Sequence, residues 1–91
     1  MIILDTNVLS ALMRTARDAM VSSWVDKQPA QSVWITAITV FEARFGMARL
    51  APGRRRKAIE RAFTDVLRED LERHVLDFDQ ASAERAATLA A

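Results

Sequence analysis

Two carboxylates in this 91-residue chain stand where the sequence pattern turns a corner, and any chemistry starts with them. Asp5 ends the apolar run Ile2, Ile3, Leu4; Glu42 follows a second apolar run, Val33, Trp34, Ile35, after two threonines. A short uninterrupted apolar run is the pattern of a strand buried on both faces of a parallel sheet. An acid directly after such a strand lies at its carboxyl end, the edge where open α/β sheets bind their ligands. If the two runs are neighbouring strands, both carboxylates come to one edge. Two hard oxygen donors suit Mg²⁺ or Mn²⁺, which take one or two protein carboxylates and complete their shell with water and phosphate oxygens. An RNA phosphodiester is then a natural partner, because such an ion polarises a phosphoryl oxygen and supplies hydroxide near neutral pH. The same acids also read as helix caps. Asp5 or Thr6 can accept a hydrogen bond from a helix over Val8 to Met13, and Thr39 with Glu42 has the spacing of a capping box. Spacing alone leaves both readings open.

The elements that must position these acids follow from the apolar periodicity. Arg14 to Arg17 reads as a polar connection. Met20, Val21, Trp24 and Val25 form one helical stripe, ended at Gln28 by the proline that follows it. Trp24 and Trp34 are expected in the core. A second strand is predicted at Ser32 to Ile35, then a helix over Thr36 to Leu50 capped by Thr36 or Thr39. Ile38, Val40, Phe41, Ala43, Phe45, Met47 and Ala48 make that helix apolar round most of its circumference, so it is expected to be buried. One narrow polar stripe remains: Thr39, Glu42, Gly46 and Arg49. Gly46 costs about 1 kcal/mol against alanine in a helix and leaves the surface beside Glu42 open. Arg49 is either a structural salt-bridge partner or a phosphate contact.

After the break at Pro52 and Gly53, Arg54 to Glu72 is predicted as one long amphipathic helix. Its outer face offers the pairs Arg56–Glu60, Arg61–Asp65 and Glu69–Arg73, each four apart and worth a few tenths of a kcal/mol. A third strand is expected at His74 to Leu76, and Asp79 is a good N-cap for the alanine-rich helix that follows. His74 has no metal-ligand spacing and is given no role. The order is strand, two helices, strand, two helices, strand, helix, which argues for an α/β fold with a parallel sheet.

Composition bounds the function classes. Hydrophobic residues make up 51% of the chain, enough for one globular domain with a modest core. The absence of cysteine excludes a disulfide framework and thiolate metal sites, and fits a reducing cytoplasm. The apolar start has no basic leader, and no run approaches the roughly 18 apolar residues of a membrane span. The net charge is only +1, but Arg54, Arg55, Arg56 and Lys57 are consecutive. They read either as a solvated helix start or as a nucleic-acid contact. Four cations at a helix N-terminus oppose its dipole, which favours a phosphate partner.

Whole motifs sharpen the reading. Met1-Ile2-Ile3-Leu4-Asp5-Thr6-Asn7-Val8-Leu9-Ser10 and the stretch from Trp34 to Gly46 closely resemble the two N-terminal motifs of PIN-domain proteins. Among these, the VapC-type toxin ribonucleases of bacterial toxin–antitoxin pairs match best. Val75-Leu76-Asp77-Phe78-Asp79 before an alanine-rich helix looks like that family too, so the resemblance covers the whole chain. It implies a PIN-like three-layer fold over residues 1–91, a single partial domain lacking the C-terminal strands. It also implies Mg²⁺-dependent cleavage of RNA with Asp5 and Glu42 as metal ligands, Thr6 lining the site and Asn7 beside it. A VapB-like antitoxin and a homodimer are the implied partners. In that family further acids and strands follow the alanine-rich helix, and these 91 residues stop before them. One edge of the first strand is therefore expected to be unpaired, and these residues alone are expected to cleave RNA poorly. The alternative role is a remnant that binds its antitoxin or itself.

Overall fold

The computed structural model describes residues 1–14 and 19–90, and within them strand and helix alternate as the periodicity requires. The elements are β1 (Ile2–Ile3), α1 (Thr6–Met13), α2 (Ala19–Asp26), β2 (Val33–Thr36), α3 (Ala37–Ala48), α4 (Arg54–Asp65), β3 (Val75–Leu76) and α5 (Gln80–Ala90). A short 3₁₀ turn at Ala30–Ser32 leads into β2, and a π-helical turn at Val66–Asp70 continues α4. The polar connection expected at Arg14 to Arg17 lies mostly outside the described residues.

The sheet is parallel, with order β1-β2-β3. Ile2 pairs with Val33 and Ile3 with Trp34 on one side of β2; Ile35 pairs with Val75 and Thr36 with Leu76 on the other. The ladder extends past the strand ends, where the Leu4 N–H donates to the Trp34 carbonyl at 2.9 Å and the Ile35 N–H to the His74 carbonyl at 3.1 Å. The middle strand is the buried one, with Val33 and Ile35 essentially inaccessible. Ile2 and Ile3 of β1 are only half-buried, because this strand has a neighbouring strand on one side alone among the described residues; Leu4, just past it, is fully buried. Leu9, Leu12, Val25, Met47, Phe63, Val66 and Leu71 close the core around the sheet. No helix among the described residues is long and apolar enough to cross a membrane.

Several expectations are corrected. Helix α3 is not buried all round. It sets Thr39, Val40, Ala43 and Met47 against the interior and turns Ile38, Phe41 and Phe45 to solvent, since packing against β2 and α4 covers only one side of it. Trp24 is 47% exposed rather than core. It sits about 100° round α2 from the buried Val25, at the edge of the stripe. Trp34 is half-buried, its ring stacked on His74 at 4.6 Å, while His74 Nδ1 meets the Val33 carbonyl at 3.2 Å. His74 thus serves the β2–β3 seam.

The helix predicted to run unbroken to Glu72 widens after Asp65. Leu71 N–H donates to the Val66 carbonyl, five residues back, at 3.0 Å, and both side chains reach the core. Glu72 and Arg73 then take left-handed backbone, φ 48° and 61°, and the Arg73 N–H closes the helix end on the Leu67 carbonyl at 2.7 Å. Of the three expected ion pairs, Arg56–Glu60 forms at 3.7 Å. Asp65 instead meets Arg68 at 3.2 Å. Arg73, past the helix end, is not placed as an i+4 partner of Glu69.

Candidate active site

Asp5 leaves β1 in extended backbone and caps α1. Its Oδ1 accepts from the Val8 N–H at 2.9 Å, and its own carbonyl accepts from the Leu9 N–H at 3.1 Å. The cap is therefore real, and it occupies one carboxylate oxygen of a side chain that remains exposed at the carboxyl end of the strand.

The junction after β2 is built otherwise. Thr36, not Thr39, caps α3: its Oγ1 accepts from the Thr39 N–H at 3.2 Å, and the two hydroxyl oxygens lie 3.2 Å apart. Both threonines are buried. With the helix starting at Ala37, the capping box of Thr39 with Glu42 does not form, and Glu42 stands six residues into the helix. It is exposed and has no hydrogen-bond or ion-pair partner among the described residues.

Glu42 opens onto a groove of about 240 Å³ between α1, α3 and α4. Thr6, Ser10 and Met13 form one wall, Glu42 and Gly46 the other, and Ile59 contributes from α4. A Cβ at Gly46 would meet nothing within 4 Å, so the space beside Glu42 is open. Thr6 and Glu42 share this groove, and Asp5 immediately precedes Thr6. Asn7 is exposed and not among the groove's described lining. Past Met13 and Ile59 a second hollow of about 310 Å³ continues between α1 and α4 towards Asp65 and Glu69. Ser10 and Met13 were not singled out from sequence, although Ser10 follows Thr6 by four residues and so shares its helix face. Ile59 joins them through tertiary packing alone.

The basic run does not line the groove. Arg54, Arg55 and Lys57 are exposed. Arg56 is half-buried, paired with Glu60 and donating to the Leu50 carbonyl at 3.5 Å. Arg49 lies over the Phe45 ring at 5.6 Å. Asp79 caps α5, accepting from the Ser82 N–H at 2.8 Å, and that bond holds its carboxyl below the ordinary value of 3.8. Among the described residues no three His, Cys, Asp or Glu side chains converge as a metal-binding group. What the groove offers is one unpartnered carboxylate, Glu42, and the Thr6 hydroxyl beside open space; a second carboxylate, Asp5, precedes Thr6 in the chain. That donor set fits a hard divalent cation that keeps most of its water.

Comparison with known proteins agrees with the fold. A model of the PIN domain matches residues 2–91. The chain is 39% identical over 79 residues to the VapC ribonuclease Y4jK of Sinorhizobium fredii, covering 87% of this chain and 56% of that protein. It is 41% identical over 76 residues to the plasmid stability protein StbB of Pseudomonas syringae pv. tomato, covering 84% and 49%. Against the toxin FitB of Neisseria gonorrhoeae identity is 32% over 83 residues, covering 91% and 60%. Among solved structures, that of FitAB bound to an IR36 DNA fragment superposes with a TM-score of 0.73 at 32% identity, covering 97% of this chain and 62% of its counterpart. The chain thus spans about half to three-fifths of the length of these curated relatives.

Proposed function

The chain belongs to the PIN-domain family, and on that premise we propose that it is a VapC-like toxin, a Mg²⁺-dependent endoribonuclease held by a cognate antitoxin in the cytoplasm. The observation that carries the reading is the unpartnered Glu42 in one groove with Thr6, directly beside Asp5. Asp5 and Glu42 would hold the ion. When bound, Mg²⁺ supplies polarisation of a phosphoryl oxygen and a more acidic water.

The chain's own residues do the rest. The Val8 N–H fixes the Asp5 carboxylate through Oδ1, so its orientation is set by the backbone of α1 before any ligand arrives. Glu42 can adjust, because nothing in the described structure holds it and Gly46 leaves it room. The first turn of α1 presents N–H groups without intrahelical acceptors, which favours an anionic phosphate at this edge. Thr6, inside the groove, can donate its hydroxyl to a phosphate oxygen.

A second reading, a unit that binds its antitoxin without turning over RNA, is favoured by one observation: among the described residues no three possible ligand side chains converge. Two ligands position a hydrated Mg²⁺ loosely, and misplacement by about 1 Å can cost on the order of 100-fold in rate. A fluorescence-quenched RNA assay with Mg²⁺, run beside Asp5→Ala, separates the two. Mg²⁺-dependent cleavage lost in the variant supports the nuclease. No cleavage, with antitoxin still captured, supports the binding unit. Cleavage that persists in Asp5→Ala would remove Asp5 from any site.

A further inference from the structure

Gly46 has a cost and, among the described residues, no structural reason. It stands inside α3, where glycine is a poorer helix former than alanine. Its backbone is not left-handed, and a Cβ there would meet nothing within 4 Å. Neither conformation nor described packing asks for a glycine. What the missing side chain does is leave room in the groove, one helical turn from Glu42 on the same face of α3. Clearance kept at the expense of helix stability suits something that approaches the backbone closely from outside.

The rest of the groove shows what kind of visitor that is. Met13, Met47 and Ile59 line it with apolar surface, and two of them are thioethers, which favour contact with aromatic rings. The hydroxyls of Thr6 and Ser10, one turn apart on α1, border the same space. Thr64 and Thr88 return theirs to the carbonyl four residues back, at 3.0 and 3.1 Å; Thr6 and Ser10 have no hydrogen-bond partner for theirs among the described residues. Beyond Ser10, Met13 and Ile59 a further hollow of about 270 Å³ is bordered by Arg14, about 12 Å along α1 from Thr6. Arg14 makes no ion pair among the described residues. Asp65 and Glu69, which border the neighbouring hollow with it, both meet Arg68 instead, at 3.2 and 3.6 Å.

We propose that the groove is a subsite for one nucleotide of a single-stranded RNA, adjacent to the phosphate that Asp5 and Glu42 would address through their cation. The base lies against Met13, Met47 and Ile59 in the clearance that Gly46 leaves. Ser10 hydrogen-bonds the base edge, and Arg14 answers the next phosphate. A base has an apolar face and a polar rim, which this lining matches. An apolar protein side chain would cover both hydroxyls without meeting them. The groove, at about 240 Å³, is smaller than pockets that enclose drug-sized ligands, so it admits one base and not a stack. Both ends meet phosphates, one through the cation and the other through the guanidinium. The choice of RNA rests on the nuclease reading.

The test is fluorescence anisotropy of a short labelled single-stranded RNA of mixed sequence with the whole chain in EDTA, where binding is read without metal or cleavage. Gly46→Leu fills the clearance with a good helix former. The urea midpoint should rise while RNA affinity falls about tenfold or more, within the range for losing the seat of one base. A residue needed only for folding would move both the same way. Gly46→Ala, whose methyl meets nothing, should show the same divergence more weakly and guards against a misfolded leucine variant. Arg14→Gln should flatten the slope of log affinity against log salt by about 0.7, one phosphate contact on a single strand. Ser10→Ala should leave that slope alone and change the ranking of oligo-A, oligo-C and oligo-U. Unchanged RNA affinity in both Gly46 variants overturns the subsite, as does a parent chain that binds no RNA. So does loss of antitoxin capture by Gly46→Leu with RNA affinity kept; the groove would then seat a protein side chain. RNA binding as described without cleavage by the parent in Mg²⁺ leaves the subsite standing and sinks the nuclease. Cleavage in Mg²⁺ that Gly46→Leu does not slow does the reverse.

Discussion

The two strand-to-helix junctions of this molecule solve the same local problem with different residues. After β1 the cap is an acid, Asp5, which serves the backbone with one oxygen and stays exposed. After β2 the cap is a buried neutral pair, Thr36 with Thr39, and the acid stands further along the helix with no structural duty. The comparison shows how a site can be separated from the fold that carries it. At the first junction charge and cap coincide, so truncating Asp5 removes both at once. At the second they are divided, so Glu42 carries no part of the cap.

That contrast can be broken by mutation. The largest effect on stability should come from Thr36→Val, which removes the α3 cap and leaves the buried Thr39 hydroxyl unmet. A loss of about 2 kcal/mol is expected in urea unfolding. Asp5→Ala should cost about 1 kcal/mol, an exposed cap alone; a loss larger than that of Thr36→Val would reverse the comparison. Asp5→Asn keeps an equally good capping group and Glu42→Gln touches no partner, so both should stay within about 0.5 kcal/mol of the parent.

The smallest effect concerns the third cap. Asp79 is held below its ordinary carboxyl value of 3.8 by the Ser82 N–H. A carboxyl depressed on folding contributes stability that is complete above the unfolded value and lost as pH falls through the folded one. Asp79→Asn should therefore leave the urea midpoint at neutral pH nearly unchanged and make the decline below pH 3.8 slightly shallower. An unaltered acid limb would show that the Asp79 charge contributes nothing.

Much of this architecture was legible in the sequence because it rests on local pattern. Short apolar runs marked the strands, and the acid closing the first run marked both the sheet edge and the cap. The start of α3 was ambiguous because Thr36 and Thr39 can each cap a helix. The ladder decides it, since β2 continues through Thr36 to meet Leu76. The outward side of α3 was misread because composition counts apolar residues without saying which of them meet the sheet. Phe41 and Phe45 look like core until β2 and α4 are seen to cover only the opposite face. The widened turn after Asp65 was hidden because Val66 and Leu71 fit an ordinary helical rhythm. The groove walls at Met13 and Ile59 depend on how α1 meets α4, a packing event outside any local pattern.

The central claim is that Asp5 and Glu42 hold one divalent cation together, and calorimetric titration of Mn²⁺ tests it most directly. The parent chain should bind one ion. Asp5→Asn and Glu42→Gln should each bind it about tenfold or more weakly while unfolding at the parent's urea midpoint, a loss already typical of disturbing groups outside the ligand set. Equal Mn²⁺ affinity in the parent and both variants would contradict the claim and return both acids to the fold alone.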